Sequence, residues 1–131
     1  MKVLVVDDDL TTRIVLVGIL SPFAEVDSCC DGNQAVQACS EALERGQPYD
    51  LVCLDLTMPN MSGLEALKLI RQEEQRHGRT PPRGARIIVA TAADDKNTIS
   101  QAFRQPCDAY IVKPIDAAEL LNLVYCLCPI D

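Results

Sequence analysis

The chain has 131 residues, of which 48% are hydrophobic and 24% are charged, and its formal net charge is −7. This length fits a single domain over residues 1–131, and no apolar run approaches the roughly 18 residues that a membrane-spanning helix needs. Nucleic-acid binding requires clustered Lys and Arg, so the acidic net charge argues against it, and we expect the partners to be other proteins. We expect the protein to be cytoplasmic.

Short apolar runs alternate along the chain with helical patterns. The runs predict five strands, at Lys2–Val6, Glu25–Ser28, Leu51–Leu54, Arg86–Ala90 and Ala109–Val112. The first, third and fourth runs are almost wholly apolar, which is typical of central parallel strands that are covered on both faces. This alternation predicts an α/β fold, a doubly wound five-stranded parallel sheet with helices on both faces.

The helical patterns carry recognisable start and stop signals. One helix ends just before Gly46, a residue type that commonly follows the last helical turn. Its apolar stripe consists of Ala35, Val36, Cys39 and Leu43. Two other helices are predicted to start at capping residues, because Ser62 precedes Glu65 by three positions and Asp116 precedes Glu119 in the same way.

The segment from Arg76 to Arg86 breaks the regular alternation. It is basic, rich in Pro and Gly, and longer than an ordinary connection between a helix and a strand. We expect a mobile surface loop there, with a docking patch for an acidic partner as the less favoured alternative.

Seven cysteines, an odd number, are spread along the chain, and most of them lie in apolar segments. In a chain without a secretory signal we expect them to be reduced and buried. Cys126 and Cys128 have one residue between them and no His nearby, so the spacing does not indicate a zinc site.

Acidic residues follow two of the predicted strands. Asp7, Asp8 and Asp9 come directly after the first strand, and Asp55 comes directly after the third. In a doubly wound sheet these strands are neighbours, and ligands bind outside the carboxyl ends of the strands. Clustered carboxylates repel one another, so they take up protons or bind a cation. A site with a small number of hard carboxylate oxygens suits Mg2+, which keeps several waters as its other ligands.

A hydroxyl group and a cation come at the ends of the fourth and fifth predicted strands. Thr91 ends the fourth strand, and the fifth leads into Lys113 and Pro114. Lys113 is therefore expected to project over the acidic cluster, where its charge can pair with an anion such as a phosphoryl group, and Thr91 offers a hydroxyl donor.

The acid pair Asp7-Asp8, the segment Asp-Leu-Thr-Met-Pro that starts at Asp55, the segment Ala-Thr-Ala around Thr91, and the residues from Tyr110 to Pro114 occur in this order along the chain. In these features the chain resembles, over essentially its whole length, the receiver domain of two-component response regulators of the single-domain type. The resemblance implies a flavodoxin-like (βα)5 sheet with the strand order 2-1-3-4-5.

The resemblance also implies roles for the site residues and a Mg2+ cofactor. Asp55 would accept a phosphoryl group from a phosphohistidine of a histidine kinase or a phosphotransfer protein. Asp8 and Asp55 would bind Mg2+ directly, Asp7 would bind it mostly through water, and Thr57 would contribute its backbone carbonyl. Lys113 would pair with the phosphoryl group.

The family further implies how such a chain signals. Thr91 would move to bond the phosphoryl group, Tyr110 would turn inward behind it, and the Lys113–Pro114 peptide bond would be cis. The chain would catalyse its own phosphorylation and dephosphorylation without being a turnover enzyme. Its output would be contact with an unidentified downstream protein, by a monomer or a weak dimer.

Two alternatives remain open from the sequence. Asp7-Asp8-Asp9-Leu-Thr11 fits the Asp-x-Asp-x-Thr motif of haloacid dehalogenase-type phosphohydrolases, in which Asp7 would be the nucleophile. The chain is short for such an enzyme and has no cap domain. The second alternative is a degenerate receiver that binds partners without being phosphorylated.

Overall fold

The computed structural model describes residues 1–56, 58, 60–79, 84–92 and 107–128. The strands in these ranges are β1 (Lys2–Val6), β2 (Glu25–Cys29), β3 (Leu51–Asp55), β4 (Arg86–Ala92) and β5 (Ala109–Lys113). The helices in the same ranges are α1 (Leu10–Leu20), α2 (Gly32–Glu44), α3 (Gly63–Arg76) and α4 (Ala117–Leu127). All five predicted strands are confirmed, and four of them extend one or two residues further at their carboxyl ends. None of the helices in the described part of the chain is long and apolar enough to cross a membrane.

The five strands form one parallel sheet in the order β2-β1-β3-β4-β5. The predicted doubly wound architecture and its strand order are therefore confirmed. The strands β1, β3 and β4 are central, as their apolar sequences predicted, whereas β2 and β5 form the edges.

Two hydrophobic clusters cover the two faces of the sheet. The cluster under α2 and α3 combines strand residues such as Val52 and Leu54 with Cys39, Leu67 and Ile70. The cluster under α1 and α4 contains Leu51 and Cys53 together with Leu16, Leu20, Leu120 and Val124. Because side chains alternate along a strand, Asp55 continues the row of Leu51 and Cys53 on the face that α1 and α4 cover.

Each helix in the described ranges begins at a polar side chain that accepts a hydrogen bond from the first turn. These caps are Asp9, Asp31, Ser62 and Asp116. The predicted starts at Ser62 and Asp116 are confirmed, because they accept the N–H groups of Glu65 at 3.2 Å and Glu119 at 3.1 Å. Such a cap typically contributes about 1 kcal/mol to stability.

Gly63 allows α3 to start directly beside the end of β3. Its N–H group donates to the carbonyl oxygen of Leu56 at 2.9 Å. A Cβ atom at this position would clash with the carbonyl oxygen of Asp55 and with the Cα atom of Leu56. Only glycine fits without a shift of the backbone, so this close contact fixes the backbone that carries Asp55.

The basic connection between α3 and β4 lies within the predicted bounds. Arg76 is the last residue of α3 and Arg86 is the first residue of β4, while residues 80–83 lie outside the described residues. The end of the connection is anchored to α3, because Glu74, which is 4% exposed, accepts the N–H group of Ala85 at 2.5 Å. The mobility of this loop stays a prediction.

All seven cysteines are free thiols, but the prediction that they are buried is wrong for most of them. Cys39 and Cys53 are buried, Cys126 is exposed, and the other four are half-buried. Burial raises the pKa of both the Cys39 and the Cys53 thiol from 9.0 to about 12. Apolar neighbours in sequence did not imply burial, because Cys126 lies on the outward side of α4 beside the exposed Tyr125.

Candidate functional site

The carboxyl ends of β1 and β3 place Asp7 and Asp55 side by side. Val6 pairs with Leu54 across these strands, so the next residues, Asp7 and Asp55, lie level at the same edge of the sheet. On its other side, Asp55 pairs with Ala90 of β4. The backbone of Asp55 is therefore held between two neighbouring strands at the edge where ligands bind in sheets of this type.

Asp8 completes a cluster of three carboxyl groups. One oxygen atom from each of Asp7, Asp8 and Asp55 lies within 4.8 Å of the others. Asp7 and Asp55 are 1% and 3% exposed, whereas Asp8 is open to solvent. Two carboxylates about 4 Å apart repel by roughly 4 kcal/mol at an effective dielectric constant of about 20, so the cluster requires a compensating cation.

Lys113, at the end of β5, supplies one positive charge. Its Nζ atom lies 2.9 Å from Oδ2 of Asp7 and 3.3 Å from Oδ1 of Asp55. Partial burial lowers the pKa of Lys113, but the carboxylates of Asp7 and Asp55 outweigh burial and hold the pKa above its usual value. The lysine therefore stays charged, and one ammonium group among three carboxyl groups leaves the cluster formally negative.

Asp9, the third acid of the run, starts a helix instead of joining the cluster. Its Oδ1 atom accepts the N–H group of Thr11 at 3.2 Å, and its Oδ2 atom accepts the hydroxyl group of Thr12 at 2.8 Å. The hydrogen bond from Thr12, followed by that from Thr11, holds the pKa of Asp9 below its usual value. The N–H group of Asp9 donates to Oδ1 of Asp7 at 2.9 Å, which ties the cap to the cluster.

Arg13 also contacts this turn, in a role that the sequence did not reveal. Its Nη1 atom donates to the backbone carbonyl oxygen of Asp7 at 2.7 Å. The N–H group of Asp7 donates in turn to the carbonyl oxygen of Cys29 at 3.2 Å. The one available signal was the presence of a cation near the amino end of a helix, where the helix dipole disfavours positive charge.

Three of the remaining predicted site residues, Thr91, Tyr110 and Pro114, lie on or directly after β4 and β5. Thr91 is 1% exposed and follows the residue of β4 that pairs with Asp55. Tyr110 lies on the edge strand β5 with 38% of its surface exposed. The peptide bond between Lys113 and Pro114 is cis. Thr57 lies outside the described residues.

The oxygen atoms of the cluster suit a small, hard cation. Two ligands of one Mg2+ ion, each about 2.1 Å from it, are at most about 4.2 Å apart. The carboxyl oxygens here lie within 4.8 Å of one another, so small side-chain rotations bring them to coordinating distance. Asp8 is exposed, so the cluster is accessible to water and to an anion, and Lys113 already contacts Asp55 there.

Comparison with known sequences finds one matching family model and similar proteins in a plant and a bacterium. The chain matches the family model of the response regulator receiver domain over residues 3–125. It is 33% identical over 139 aligned residues to probable histidine kinase 2 of Oryza sativa subsp. indica, and the match covers 98% of this chain but only 13% of the kinase. It is 32% identical to the chemotaxis protein CheY of Bacillus subtilis (strain 168), with 94% of this chain and 93% of CheY covered.

The fold is also similar to that of a solved receiver structure. The receiver domain of the histidine kinase CKI1 from Arabidopsis thaliana, crystallised as a complex with Mg2+ and BeF3−, superposes with a TM-score of 0.82 and 29% sequence identity. The superposition covers 96% of this chain and 88% of that structure. The likeness therefore extends over almost the whole chain.

Proposed function

Because the chain belongs to the response regulator receiver domain family, whose members are signalling modules rather than turnover enzymes, we propose that Asp55 is its phospho-acceptor and that a phosphohistidine of a kinase or phosphotransfer protein is the donor. One observation supports this proposal most strongly. The carboxyl group of Asp55 lies in the cluster with Asp7 and Asp8 and forms an ion pair with Lys113. A cation and a phosphoryl anion can therefore be held at the same carboxylate.

In the proposed reaction an oxygen atom of Asp55 attacks the phosphorus atom of the phosphohistidine. The O–P bond forms as the P–N bond breaks, and the leaving imidazole nitrogen keeps the electron pair and takes up a proton. The phosphoryl oxygens are negatively charged throughout, and Lys113, 3.3 Å from Asp55, is placed to pair with one of them. When water attacks the phosphorus atom of the aspartyl phosphate, the O–P bond to Asp55 breaks, inorganic phosphate leaves and the carboxylate is restored. The chain would therefore promote both reactions of its own side chain.

The proposal includes Mg2+ as a cofactor. Asp8 and Asp55 would hold it directly, Asp7 would hold it mostly through water, and the backbone carbonyl of Thr57 would complete the protein ligands. When bound, Mg2+ neutralises the charge that the carboxylates and the phosphoryl oxygens bring together. The oxygen cluster fits such an ion, and the similar receiver domain of CKI1 was crystallised with Mg2+ and BeF3−.

We further propose that phosphorylation is transmitted through Thr91 and Tyr110. The hydroxyl group of Thr91 would move to the phosphoryl group, and the exposed ring of Tyr110 would turn inward to fill the space that it leaves. Moving such a switch from about 1% to about 99% active requires a preference of roughly 5.5 kcal/mol for the active state. The new surface around β5 would then bind an unidentified downstream protein.

The outer face of α1 supports contact with a protein donor. Leu10, Ile14 and Val15 are 60%, 62% and 44% exposed, and Arg13 is the only charged residue of the helix. This apolar face begins at Leu10, three residues after Asp7, so a donor that brings its histidine to Asp55 also reaches α1. Asp8 and Asp9 border one end of the face. We propose that the donor presents a helix with an apolar stripe and a basic residue near the phosphohistidine.

The family match favours this interpretation over the haloacid dehalogenase-type hydrolase. The degenerate receiver is disfavoured because the acidic cluster and Lys113 are both present at the site. The surroundings of Asp7 also suit a positioned ligand better than a nucleophile. Its Oδ1 atom accepts the N–H group of Asp9, its Oδ2 atom is ion-paired with Lys113, and its side chain is 1% exposed. Beryllofluoride should form its adduct on Asp55, whereas the hydrolase would carry it on Asp7.

Phosphorylation by acetyl phosphate tests the proposed function. With Mg2+ present, intact-mass spectrometry should detect the addition of one phosphoryl group to the wild type and none to Asp55→Asn. Asp50→Asn, an aspartate just before the other end of β3, is the matched control and should be phosphorylated like the wild type. An unmodified wild type, or a modified Asp55→Asn, would contradict the proposal.

A further inference from the structure

Arg13 lies where a positive charge is unfavourable for the helix that carries it. It is the fourth residue of α1, near the amino end, where the helix dipole favours negative charge. Its side chain is half-buried and turns back toward the start of the helix, so that Nη1 reaches the carbonyl oxygen of Asp7 at 2.7 Å. Hydrogen bonds from a charged donor at such a distance are among the stronger ones in proteins.

The contact completes the anchoring of Asp7. The backbone N–H of this residue donates to Cys29, its carbonyl oxygen accepts from Arg13, and its carboxylate contacts Asp9 and Lys113. The residue on the amino side of Asp8 is therefore fixed through both backbone and side chain.

Asp8 itself is held differently. Among the described residues, its carboxylate has no hydrogen-bond or ion-pair partner, although one of its oxygens lies within 4.8 Å of those of Asp7 and Asp55. Its position in the cluster therefore depends on the backbone on either side, which Asp9 fixes as the helix cap and Arg13 fixes through Asp7.

We propose that Arg13 is a positioning residue for the metal site: its hydrogen bond to the carbonyl oxygen of Asp7 holds the turn so that Asp8 is placed to bind Mg2+. This inference rests on the proposed function. A second cation beside the cluster repels Mg2+, so electrostatics alone requires that removing Arg13 should strengthen Mg2+ binding. If Arg13 positions Asp8, its removal should instead weaken Mg2+ binding, so the direction of the change in Mg2+ affinity distinguishes the two roles.

Isothermal titration calorimetry of the unphosphorylated full chain with MgCl2 measures the Mg2+ affinity of each variant. We expect Arg13→Met to weaken Mg2+ binding about three- to tenfold, which is 0.6 to 1.4 kcal/mol at about 1.4 kcal/mol per tenfold. Arg13→Lys, which keeps a charged donor, should stay within about twofold of the wild type. The control is Arg45→Met, which removes the same charge from an exposed residue directly after α2. Arg45 is about 20 Å from the first residue of this helix, measured along the helix axis.

A double-variant cycle separates positioning from a general loss of structure. In an Asp8→Asn background, where the ligand that Arg13 places has lost its charge, Arg13→Met should change Mg2+ affinity by less than about twofold. If Arg13→Met unfolds at the assay temperature, Arg13→Gln takes its place with the same expected loss.

The outcomes also separate this inference from the proposed function. A wild type that does not bind Mg2+ would contradict the proposed function itself. A wild type that binds Mg2+ while Arg13→Met binds it equally or more tightly would overturn the role of Arg13 alone. An undiminished effect of Arg13→Met in the Asp8→Asn background would overturn it as well.

Discussion

Lys113 Nζ lies 3.3 Å from Oδ1 of Asp55, although the strands that carry these two residues are not neighbours in the sheet. β4 lies between β5 and β3, so the lysine side chain crosses the end of β4 to reach the carboxylate. The ion pair joins the edge strand to the centre of the site. In the proposed reaction, the positive charge of Lys113 would repel the metal cation and attract the phosphoryl anion.

Replacement of Lys113 by Met should therefore change two properties in opposite directions. Removing a positive charge beside Asp55 lowers the repulsion of Mg2+, and titration calorimetry should show binding that is tighter by about three- to tenfold. Phosphorylation by acetyl phosphate should be slower by about a hundredfold, because one positive partner of the transferring group is lost. Lys68→Met, at an exposed position of α3, should change neither property. Weaker Mg2+ binding in Lys113→Met would show that the lysine acts mainly as a structural support.

The raised pKa of Lys113 predicts a loss of stability at alkaline pH. The folded protein holds this proton more tightly than the unfolded chain, whose lysine pKa is 10.5. The ion pairs therefore contribute fully below about pH 10.5, and the contribution is lost as the pH rises through the folded pKa. Urea unfolding between pH 8 and 11.5 should show a steeper alkaline fall in the free energy of unfolding for the wild type than for Lys113→Met. The buried thiols titrate in both proteins, so parallel curves would rule out this contribution.

Two glycines should respond in opposite ways to the same substitution. Gly63→Ala brings a Cβ atom against the backbone of Asp55 and Leu56, and it should lower the free energy of unfolding by about 1 to 3 kcal/mol. At Gly18, in the exposed part of α1, an added Cβ atom would meet no neighbouring atom within 4 Å, so Gly18→Ala should raise stability by about 0.5 to 1 kcal/mol. Urea denaturation of both variants measures these changes. A neutral Gly63→Ala would mean that the end of β3 yields to the added methyl group.

The sheet and the convergence of the acidic side chains with Lys113 could be predicted because local patterns determine them. Central strands are apolar over their whole length, and residues just after parallel strands meet at one edge of the sheet. Asp7 and Asp55 follow two such strands, so their proximity needed no knowledge of a long-range contact. Capping at Ser62 and Asp116 is equally local, since donor and acceptor are three residues apart.

The contacts that could not be predicted join distant parts of the chain or depend on which side of a helix faces inward. The burial of Glu74 depends on the N–H group of Ala85, which the sequence placed in an irregular loop. The exposure of Cys126 depends on the orientation of α4 against the sheet. Arg13 contacts a backbone carbonyl, a partner that every residue offers and that no side-chain pattern marks.

The exposed face of α1 leads to a prediction that separates docking from chemistry. Burying a large apolar side chain contributes about 1.5 to 3 kcal/mol, so a charge placed at Ile14, which is 62% exposed, should weaken contact with a protein donor. For Ile14→Glu we expect phosphoryl transfer from a phosphohistidine protein that serves the wild type to lose at least about tenfold in kcat/KM. Phosphorylation by the small donor phosphoramidate should be unchanged, because Asp55 and its neighbours are intact.

The matched control is Tyr125→Glu, which adds the same charge to a residue of α4 that is 65% exposed. It should leave transfer from both donors at the rate of the wild type, because Tyr125 lies in the last turn of α4, about 12 Å along the helix from its start. Equal transfer by Ile14→Glu and the wild type would exclude α1 as the donor surface. A loss with phosphoramidate as well would instead indicate that the substitution disturbs the turn at Asp7–Asp9, and the two donors measured side by side distinguish these causes.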